Sequence, residues 1–494
     1  MDDLKRHAAT DLAGRLRDPA LLETRAYLAG RWEDGSAGTF PVDNPARGDT
    51  IAQVADCTPE DAARAIDAAA EAQKPWAART AKERSQILRR WFDLMMAHQD
   101  DLATILTAEQ GKPLAEAKGE IAYGASFIEF YAEEAKRVRG EIIPGHMPDK
   151  RLHVIRQPVG VVASITPWNF PNAMITRKVG PALAAGCTVV ARPASETPLS
   201  ALALGVLAER AGIPAGVLSI LPASDASGVG KMFCSHPKVR KITFTGSTPV
   251  GRTLLAQAAE RVLKVSMELG GLAPFLVFDD ADLEAAVQGA IASKYRNNGQ
   301  TCVCANRLYV QSGIHDAFVE RFAAEVAKMR VGDGLDGADL GPLISPKAVE
   351  KVERHVADAR ERGGEVVLGG RRSEAGPLFY EPTVITGATD AMLVVGEETF
   401  GPVAPIFRFE AEEEAVGRAN DTIFGLAAYF YARDLGRVTR VSEALEYGIV
   451  GVNTGIISTE LAPFGGVKQS GLGREGSHLG IEEFLEPKYV CLSV

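Results

Sequence analysis

Apolar positions in the early part of the chain recur with a helical period. Residues 58–61 (TPED) supply a threonine N-cap, a proline at the first helical position and an acidic residue three positions after the cap. Residues 80–83 (TAKE) repeat this signal, and Ile87, Trp91 and Leu94 then fall on one helical face. The pattern predicts two helices, and neither carries a group that points to chemistry.

From about residue 159 the pattern changes to short apolar runs that alternate with helical segments. A helix is predicted from Thr197-Pro198 to Gly212, between two of these runs. The predicted strands cover residues 159–165, 187–191, 217–221 and 241–245. Such alternation predicts a parallel, doubly wound sheet, whose ligands bind at the carboxyl ends of the strands. The loops after these strands are therefore the places where we expect chemistry.

A second unit is predicted to begin near Val265. Its expected elements are a strand at 275–278, a helix at 283–295, and strands at 307–310, 365–368 and 449–453. Two further segments fit neither unit. Residues 140–158 predict a hairpin arm with turns at Pro144-Gly145 and Pro148-Asp149, and residues 487–494 predict one more strand, which would seek a pairing partner.

Composition narrows the classes of function. The 494 residues are enough for two or three domains, and 46% hydrophobic with 24% charged residues is typical of a globular protein. The net charge of −10 and the absence of a basic block argue against a nucleic-acid partner. The weakly polar run 179–191 is too short to span a bilayer, and the N-terminus is acidic where a signal peptide is basic. We therefore predict a cytoplasmic protein without a membrane partner.

The six cysteines are scattered along the chain, which argues against a disulfide framework. No Cys-x-x-Cys or His-x-x-x-His spacing occurs in the sequence, so no metal site is predicted. The close pair Cys302 and Cys304 admits two interpretations. A reversible disulfide between them would switch a reactive thiol off, whereas passive packing of Cys304 is the simpler alternative, because a bridge over one residue closes a strained ring.

Two loops carry candidates for covalent chemistry. Cys302 follows the glycine-containing turn 297–301 (NNGQT) and could be an exposed, reactive thiol, although a single cysteine is more often a buried structural one. Glu268 ends a predicted strand before Gly270 and Gly271, and partial burial would raise its pKa towards that of a useful general base. The alternative for Glu268 is an ordinary exposed glutamate at a turn.

Two other loops are candidates for binding phosphate. Residues 244–251 (FTGSTPVG) place a glycine turn after a strand, with Thr248 as the expected helix cap and Pro249 in the first helical turn. The spacing is not that of the common dinucleotide motif, so a plain strand-to-helix turn remains open. Arg192 and Ser195 follow another strand and suit a phosphate group. An unremarkable surface arginine is the alternative there.

Six stretches, taken together, resemble the motifs of the aldehyde dehydrogenase superfamily, in the family's order. They are residues 165–171 (ITPWNFP), 244–248 (FTGST), 268–271 (ELGG), 299–302 (GQTC), 397–402 (EETFGP) and 463–466 (PFGG). The resemblance extends from about residue 27 to residue 490. Residues 173–188, 294–310 and 452–458 resemble the succinate-semialdehyde dehydrogenase branch closely, and the glutarate-semialdehyde branch almost as well.

The resemblance implies an α/β fold with three parts. A doubly wound cofactor-binding domain would comprise residues 1–135 and 159–264, and an α/β catalytic domain residues 265–481. A β oligomerisation arm would comprise residues 136–158 and 482–494. The arm implies a homo-oligomer, either a dimer or a tetramer.

The resemblance also implies roles for individual residues. Cys302 matches the family's nucleophile, Glu268 its general base and Asn169 its oxyanion donor. The thiolate would attack the aldehyde to give a thiohemiacetal, hydride transfer to the nicotinamide would leave a thioester, and water activated by Glu268 would hydrolyse it. The residues expected to bind the cofactor are Thr166, Trp168, Asn169, Arg192, Ser195, Gly246, Ser247, Leu269, Glu398 and Phe400.

In the semialdehyde branch, Arg177, Arg296 and Ser458 match the residues that hold the substrate's far carboxylate. The cofactor site departs from the family pattern, because the usual lysine is Arg192 and the glutamate common in NAD-preferring members is Ser195. Serine removes a repulsion of the 2′-phosphate and arginine can pair with it, so NADP is predicted, with NAD as the alternative.

The predicted activity is thus oxidation of succinate semialdehyde to succinate by a cysteine-based mechanism. The same chemistry on glutarate semialdehyde, one methylene longer, is the alternative within the family. Two other classes are less favoured. A cofactor-independent thiol esterase would leave the cofactor-site motifs without a purpose, and a silent binding protein would leave the thiol, base and oxyanion donor without one.

Overall fold

The computed structural model describes residues 12–494. The prediction drawn from the acidic N-terminus therefore lies outside the described residues almost entirely. Among residues 12–494, no helix is both long and apolar enough to cross a membrane.

The chain alternates strands and helices along most of its length. The strands are β1 (Ala26–Leu28), β2 (Arg31–Glu33), β3 (Thr39–Asp43), β4 (Thr50–Ala55), β5 (Glu141–Ile143), β6 (Lys150–Pro158), β7 (Val161–Ile165), β8 (Thr188–Arg192), β9 (Leu218–Ile220), β10 (Val239–Thr245), β11 (Lys264–Glu268), β12 (Ala273–Val277), β13 (Ala305–Gln311), β14 (Glu365–Leu368), β15 (Thr383–Thr386), β16 (Val403–Phe409), β17 (Ala427–Tyr431), β18 (Ile449–Val452), β19 (Gly471–Leu472) and β20 (Leu485–Ser493). The helices are α1 (Pro59–Ala77), α2 (Ala81–Ala97), α3 (Gln99–Gln110), α4 (Leu114–Glu134), α5 (Ala173–Ala185), α6 (Pro198–Ala211), α7 (Ala226–Ser235), α8 (Thr248–Ala259), α9 (Leu283–Lys294), α10 (His315–Val326), α11 (Pro346–Glu361), α12 (Glu412–Asn420), α13 (Leu435–Ala444) and α14 (Ser477–Glu482).

The predicted helix starts of α1 and α2 are confirmed. The hydroxyls of Thr58 and Thr80 accept a hydrogen bond from the backbone N–H of the residue three positions on. The carboxylates of Asp61 and Glu83 in turn accept the backbone N–H of Thr58 and Thr80, so both helices begin with a capping box. Helix α6 begins at the predicted proline and ends before Gly212, which adopts the left-handed conformation.

The first large sheet has the order β19-β11-β10-β7-β8-β9-β1-β2. Its five central strands are parallel, and the order reverses between β7 and β10, as in a doubly wound sheet. The predicted fold class is therefore confirmed. The strand after α5 is shifted by one residue from the prediction, so that Arg192 is its last member and not the first loop residue.

The second large sheet has the order β14-β15-β16-β13-β12-β17-β18 and is parallel except at β14. Its first strand, β12, follows β11 after a four-residue connection that contains Gly270 and Gly271. The connection therefore runs from the carboxyl end of a strand in one sheet to the amino end of a strand in the other.

The arm consists of the predicted hairpin and the chain's last strand. Strands β5 and β6 pair antiparallel, and β20 pairs with β6 along its whole length, from Leu485 opposite Pro158 to Ser493 opposite Lys150. The C-terminal strand is thus confirmed, although it begins two residues earlier than predicted. The division of the chain into three domains stays a prediction.

Candidate active site

The strand ends of the first sheet bring the predicted loops together. The loop after β7 carries Thr166, Trp168 and Asn169, and Arg192 ends β8. The loop after β10 carries Gly246 and Ser247, and Glu268 ends β11. Because these strands are parallel neighbours, their carboxyl ends lie at one edge of the sheet. Cys302 reaches this edge from the other sheet, since it precedes the amino end of β13.

Close backbone contacts explain why the motifs around Cys302 contain glycine. A Cβ at Gly271 would lie 2.3 Å from the carbonyl oxygen of Cys302, and one at Gly299 would lie 2.2 Å from the carbonyl oxygen of Gly401. Asn297 and Asn298 precede this contact with φ of 50° and 56°, a conformation that asparagine tolerates. The turn that presents Cys302 is therefore fixed by its own sequence and by the ELGG loop.

The thiol of Cys302 is half-buried. Burial raises its pKa to about 12, the Arg177 guanidinium opposes this shift, and the carboxylates of Glu398 and Glu268 add to it. The thiol is therefore protonated at neutral pH, and its surroundings are less favourable to a thiolate than the sequence analysis assumed. A base must take this proton before Cys302 can act as a nucleophile.

Glu268 is buried, so the interpretation of this residue as an exposed turn glutamate is wrong; its relative exposure is 4%. Burial and the nearby Glu475 carboxylate raise its pKa well above the usual range, against the opposing effect of Arg177 and Lys178. Its Oε2 is buried and has no hydrogen-bond partner among the residues described. A carboxylate whose pKa is raised in this way is a stronger base than an exposed glutamate.

Asn169 is joined directly to the Cys302 turn. Its Nδ2 donates to the carbonyl oxygen of Gln300 at 3.1 Å, and its Oδ1 is buried without a hydrogen-bond partner within residues 12–494. An amide nitrogen carries two N–H bonds, so one can donate to Gln300 while the other faces a ligand. The predicted catalytic trio thus meets in one region of the structure.

Two charged residues that the sequence analysis missed complete this region. Lys178 donates to the Thr245 hydroxyl at 2.5 Å and to Glu475, and Glu475 also forms an ion pair with Arg177 at 2.7 Å. All three charged side chains are buried. The position of Lys178 within the apolar run of α5 was the available signal, because an unpaired lysine is rarely placed there. Glu475, almost 300 residues further along the chain, carried no signal of its own.

The loops expected to bind a cofactor lie beside this trio. Glu398 accepts the N–H of Gly271 at 3.3 Å, and burial raises its pKa to about 7. The rings of Trp168 and Phe400 meet at right angles with centroids 5.6 Å apart. The backbone N–H of Thr166 donates to the carbonyl oxygen of Arg192 at 3.2 Å, which joins two of the strand ends.

The glycine turn leads into α8 much as predicted, with a shift of one residue. Ser247 and not Thr248 is the N-cap, and Thr248 and Pro249 are the first two helical residues. The Gly246 N–H donates to the carbonyl oxygen of Glu268 at 3.0 Å. A Cβ at Gly251 would lie 2.4 Å from Leu269, so that this glycine admits the leucine side chain. A helix N-terminus in this position can bind a pyrophosphate.

Arg192 is buried, with 7% relative exposure, so the surface-arginine alternative is wrong. Its Nη2 donates to the carbonyl oxygen of Ala223 at 2.7 Å, and its buried Nε has no hydrogen-bond partner among residues 12–494. Ser195 is half-buried and donates to the exposed Glu196 carboxylate at 3.4 Å. An arginine with an unsatisfied nitrogen fits an anionic ligand, whereas Glu196 is a neighbouring negative charge that the sequence analysis did not weigh.

The three residues expected to hold a substrate carboxylate do not share one pocket. Arg296 and Ser458 line a small pocket, which also contains Thr301 and Val303, the chain neighbours of Cys302. Arg177 lies outside this lining, 4.0 Å above the ring of Phe464.

The hydroxyl of Tyr123 on α4, a residue that sequence reasoning missed, is influenced by the same three residues. Burial raises the pKa of its hydroxyl, while Arg177, Arg296 and the hydroxyl of Ser458 act in the opposite direction. Its buried hydroxyl has no hydrogen-bond partner among residues 12–494. Nothing in the sequence singled it out among the tyrosines.

Cys304 is packed under the nucleophile's turn. Its Sγ donates to the carbonyl oxygen of Gly299 at 3.2 Å and lies 4.0 Å from Nζ of the buried Lys294. Both thiols of the pair are free. These contacts favour the packing interpretation, and the reversible disulfide stays a hypothesis. Over residues 12–494, no three His, Cys, Asp or Glu side chains are arranged to hold a metal ion.

Known proteins share this architecture. The model of the aldehyde dehydrogenase family matches residues 32–490. A glutarate-semialdehyde dehydrogenase of Pseudomonas aeruginosa is 61% identical over 97% of this chain and 99% of its own length. The NADP(+) succinate-semialdehyde dehydrogenase GabD of Escherichia coli is 60% identical over 97% of this chain and all of its own. The crystal structure of a succinate-semialdehyde dehydrogenase from Burkholderia pseudomallei, 60% identical, superposes with a TM-score of 0.96 over 97% of this chain and 100% of that one.

Proposed function

The chain belongs to the aldehyde dehydrogenase family, and we propose that it oxidises succinate semialdehyde to succinate with NADP+. The observation that carries the choice of substrate is the pocket in which Arg296 and Ser458 flank the neighbours of Cys302. An enclosed carboxylate needs a cationic partner, because an unpaired buried charge costs several kcal/mol. A cation beside the nucleophile suits an aldehyde with an anionic group at its far end.

The proposed roles of the catalytic trio are those that the family resemblance implies, and the contacts of the three residues support them. The Cys302 thiol loses its proton to solvent and attacks the aldehyde carbon, and the resulting oxyanion accepts hydrogen bonds from the second N–H of Asn169 and the backbone N–H of Cys302. Each such donor stabilises the transition state by roughly 3–4 kcal/mol. Glu268, with its raised pKa and unsatisfied Oε2, takes a proton from the water that hydrolyses the thioester.

A nicotinamide cofactor, when bound, supplies the hydride acceptor for the oxidation. We assign its ribose to Glu398, its ring to the neighbourhood of Trp168 and Phe400, and its pyrophosphate to Gly246, Ser247 and the start of α8. Thr166 and Leu269, in the loops after β7 and β11, are assigned to the same cofactor site. Arg192, with its unsatisfied Nε, and Ser195 are assigned to the adenosine ribose and its 2′-phosphate. A cofactor-independent esterase or a silent protein would leave these assignments without a purpose.

The first experiment measures reduced nicotinamide by absorbance with succinate semialdehyde and either cofactor. We expect kcat/KM to be higher with NADP than with NAD, because Arg192 can pair with the 2′-phosphate and no glutamate occupies position 195. Equal or better turnover with NAD would preserve the family activity and overturn the assignment of Arg192 and Ser195.

The Ser195→Glu variant sharpens this test, and NAD is its internal control. A carboxylate within about 5 Å of a 2′-phosphate would repel each of its negative charges by roughly 3 kcal/mol or more at an effective dielectric constant near 20. We expect kcat/KM for NADP to fall at least about tenfold, with little change for NAD, which lacks that phosphate. A parallel loss with both cofactors would place residue 195 away from the 2′-phosphate.

The Arg296→Ala variant tests the carboxylate pocket. Truncating one partner of an enclosed ion pair costs about 2–5 kcal/mol, so KM for succinate semialdehyde is expected to rise at least about 30-fold. Butanal has the same number of carbons and no charge, and its KM should change less than about threefold. Arg371→Ala, which removes an exposed arginine paired with Glu381, is the matched control and should affect neither substrate. An equal loss on both aldehydes would refute the assignment.

Glutarate semialdehyde is the second candidate substrate, favoured by the 61% identity to an enzyme named for it. One methylene changes pocket affinity by only about 1–3 kcal/mol, so turnover of both substrates is expected. The ratio of the two kcat/KM values with the same cofactor decides which is preferred.

The arm supports a further part of the proposal, assembly into a homodimer or homotetramer. Ile142 is 87% exposed and Tyr489 58% exposed on its two edge strands, β5 and β20. Apolar side chains on open strand edges favour association with another chain. Light scattering of the purified protein would give the oligomer's size. The cytoplasmic location stays a prediction.

A further inference from the structure

We propose that the buried ion pair of Lys112 and Glu120 is a positioning unit, which holds Asn169 where its amide can donate to the oxyanion. The inference rests on the proposed role of Asn169 and adds two residues to which no role was assigned above. The hydrogen bonds of the two side chains join them to each other and to the backbone of residues 169, 172 and 173. They act on the loop after β7 through its backbone.

Lys112 enters the site from the end of α3. Gly111 ends that helix in the left-handed conformation, with φ of 92°, and turns the chain inward. The Lys112 side chain is fully buried, and its Nζ donates to Glu120 Oε2 at 2.6 Å and to the carbonyl oxygen of Asn169 at 2.7 Å. The same ammonium lies 3.8 Å from the centroid of the Phe170 ring.

Glu120 fixes the other end of the same loop. Its Oε1 accepts the backbone N–H of Asn172 at 2.9 Å and that of Ala173 at 3.2 Å. These groups belong to the N-terminus of α5, where a carboxylate is favoured by the helix dipole. The ion pair therefore forms hydrogen bonds to both ends of the segment from Asn169 to Ala173. Helix α5 continues from this segment towards Arg177 and Lys178.

A third side chain, that of Asn297, connects the backbone of Asn169 to the turn that carries Cys302. Nδ2 of Asn297 donates to the carbonyl oxygen of Asn169 at 2.9 Å and to that of Gln300 at 3.2 Å. Its backbone N–H is held by Glu116 Oε2 at 2.8 Å. The carbonyl oxygen of Asn169 thus receives two donors, while its side-chain amide donates to Gln300, two residues before Cys302.

Burying the Lys112–Glu120 ion pair costs hydration free energy, which favours a positioning role over a purely stabilising one. A lysine and a glutamate without solvent exposure lose several kcal/mol of hydration each, and an apolar pair of similar volume would stabilise the fold as well or better. Charged donors form shorter and stronger hydrogen bonds than neutral ones. A strong bond to the carbonyl of the oxyanion donor is useful because oxyanion stabilisation depends on geometry within tenths of an ångström.

The test replaces the pair without leaving a lone charge. In the Lys112→Met/Glu120→Gln variant the glutamine oxygen can still accept from Asn172 and Ala173, so the change falls mainly on the bond to Asn169. The matched control is Lys241→Met/Glu483→Gln. That pair is also formed by a buried lysine, which donates to Glu483 at 3.2 Å and to Ser266 at 2.5 Å, between other segments.

Two probes separate the oxyanion from the rest of the site. Hydrolysis of p-nitrophenyl acetate passes through an oxyanion and needs no cofactor, whereas inactivation by iodoacetamide is an alkylation of the thiol that forms none. For the Lys112/Glu120 variant we expect ester kcat to fall about 10- to 100-fold, part of the full loss of one donor, and the inactivation rate to change less than about threefold. The control variant should change neither rate by more than about threefold.

A double-mutant cycle with Asn169→Ala distinguishes positioning from general support of the fold. If the pair acts through Asn169, its removal in that background should lower ester hydrolysis less than about threefold. A further loss as large as in the wild-type background would overturn the inference, as would an Asn169→Ala variant with unchanged ester hydrolysis. If the Lys112→Met/Glu120→Gln variant does not fold, the single Lys112→Met variant is measured in the same way.

The proposed substrate can fail without affecting this test. A protein that hydrolyses the ester but does not oxidise succinate semialdehyde would refute the substrate assignment, while the ester cycle would still decide the role of Lys112 and Glu120.

Discussion

Serine in place of Cys302 is expected to lower kcat for aldehyde oxidation at least about 1,000-fold, whereas serine in place of Cys304 should lower it less than about fivefold. A serine hydroxyl is a weak nucleophile at its free pKa, so the change at the nucleophile removes the covalent step. Serine at position 304 keeps a donor for the carbonyl oxygen of Gly299, which Cys304 contacts at 3.2 Å. The two variants compare the same substitution at thiols two residues apart.

Cofactor binding, monitored through the quenching of tryptophan fluorescence, shows whether the cofactor site of the inactive variant is still intact. Unchanged binding with lost turnover would assign the loss to chemistry. Comparable losses in the two variants would instead mean that the turn 299–304 acts as a unit, and that the choice of Cys302 as the nucleophile is unsupported.

The same pair of variants bears on the disulfide hypothesis. Peroxide inactivation that dithiothreitol reverses in the wild type but not in Cys304→Ser would support a reversible bridge. The contacts of Cys304 with Gly299 and Lys294 account for its burial without one.

The order of strands and helices could be predicted because it depends on local periodicity. The runs that became β7 (VVASI) and β8 (TVVAR) are buried along their whole length, as expected for parallel strands covered on both faces, whereas β10 (VRKITFT) and β11 (KVSME) also carry charged side chains near their amino ends. A parallel sheet places the carboxyl ends of its strands at one edge. The prediction of a parallel sheet therefore also predicts that Asn169, Arg192, Gly246 and Glu268 lie near one another. The errors were of one or two residues, as at Ser247, where proline is tolerated at either of the first two helical positions.

The environment of each side chain could not be predicted in the same way. Glu268 is buried because the loop of Gly465 closes over it, and a Cβ there would lie 2.9 Å from the carboxylate. Glu475 reaches Arg177 and Lys178 across almost 300 residues of chain, and Lys112 reaches Asn169 across 57. Such contacts depend on tertiary packing, and local sequence carries little information about them.

The second large effect is expected for Glu268→Gln, which should lower steady-state ester hydrolysis about 100- to 10,000-fold, the range typical of a general base. Glutamine keeps the size of the side chain but cannot take a proton from water. Formation of the acyl-enzyme needs the Cys302 thiolate and the oxyanion donors, and in the proposed scheme solvent takes the thiol proton, so a first burst of p-nitrophenolate, close to one per active site, should remain in the variant. A missing burst would assign Glu268 to deprotonation of the Cys302 thiol as well.

The matched control is Glu109→Gln, a second buried carboxylate whose pKa is raised by burial, to about 8. It accepts the backbone N–H of Leu199 and Ser200 at the start of α6, away from the trio, and a glutamine oxygen can do the same. Its ester hydrolysis should stay within about threefold of the wild type.

The pH profile provides a further check on the base. Glu268 must be ionised to act, and burial together with Glu475 raises its pKa well above the usual range of a glutamate. The rate of deacylation should therefore rise with pH over a range higher than that of an ordinary carboxyl group, and this rise should be absent from Glu268→Gln and present in Glu109→Gln. A rise that persists in Glu268→Gln would assign the titrating group to another residue, such as the Cys302 thiol, and would remove Glu268 from the role of base.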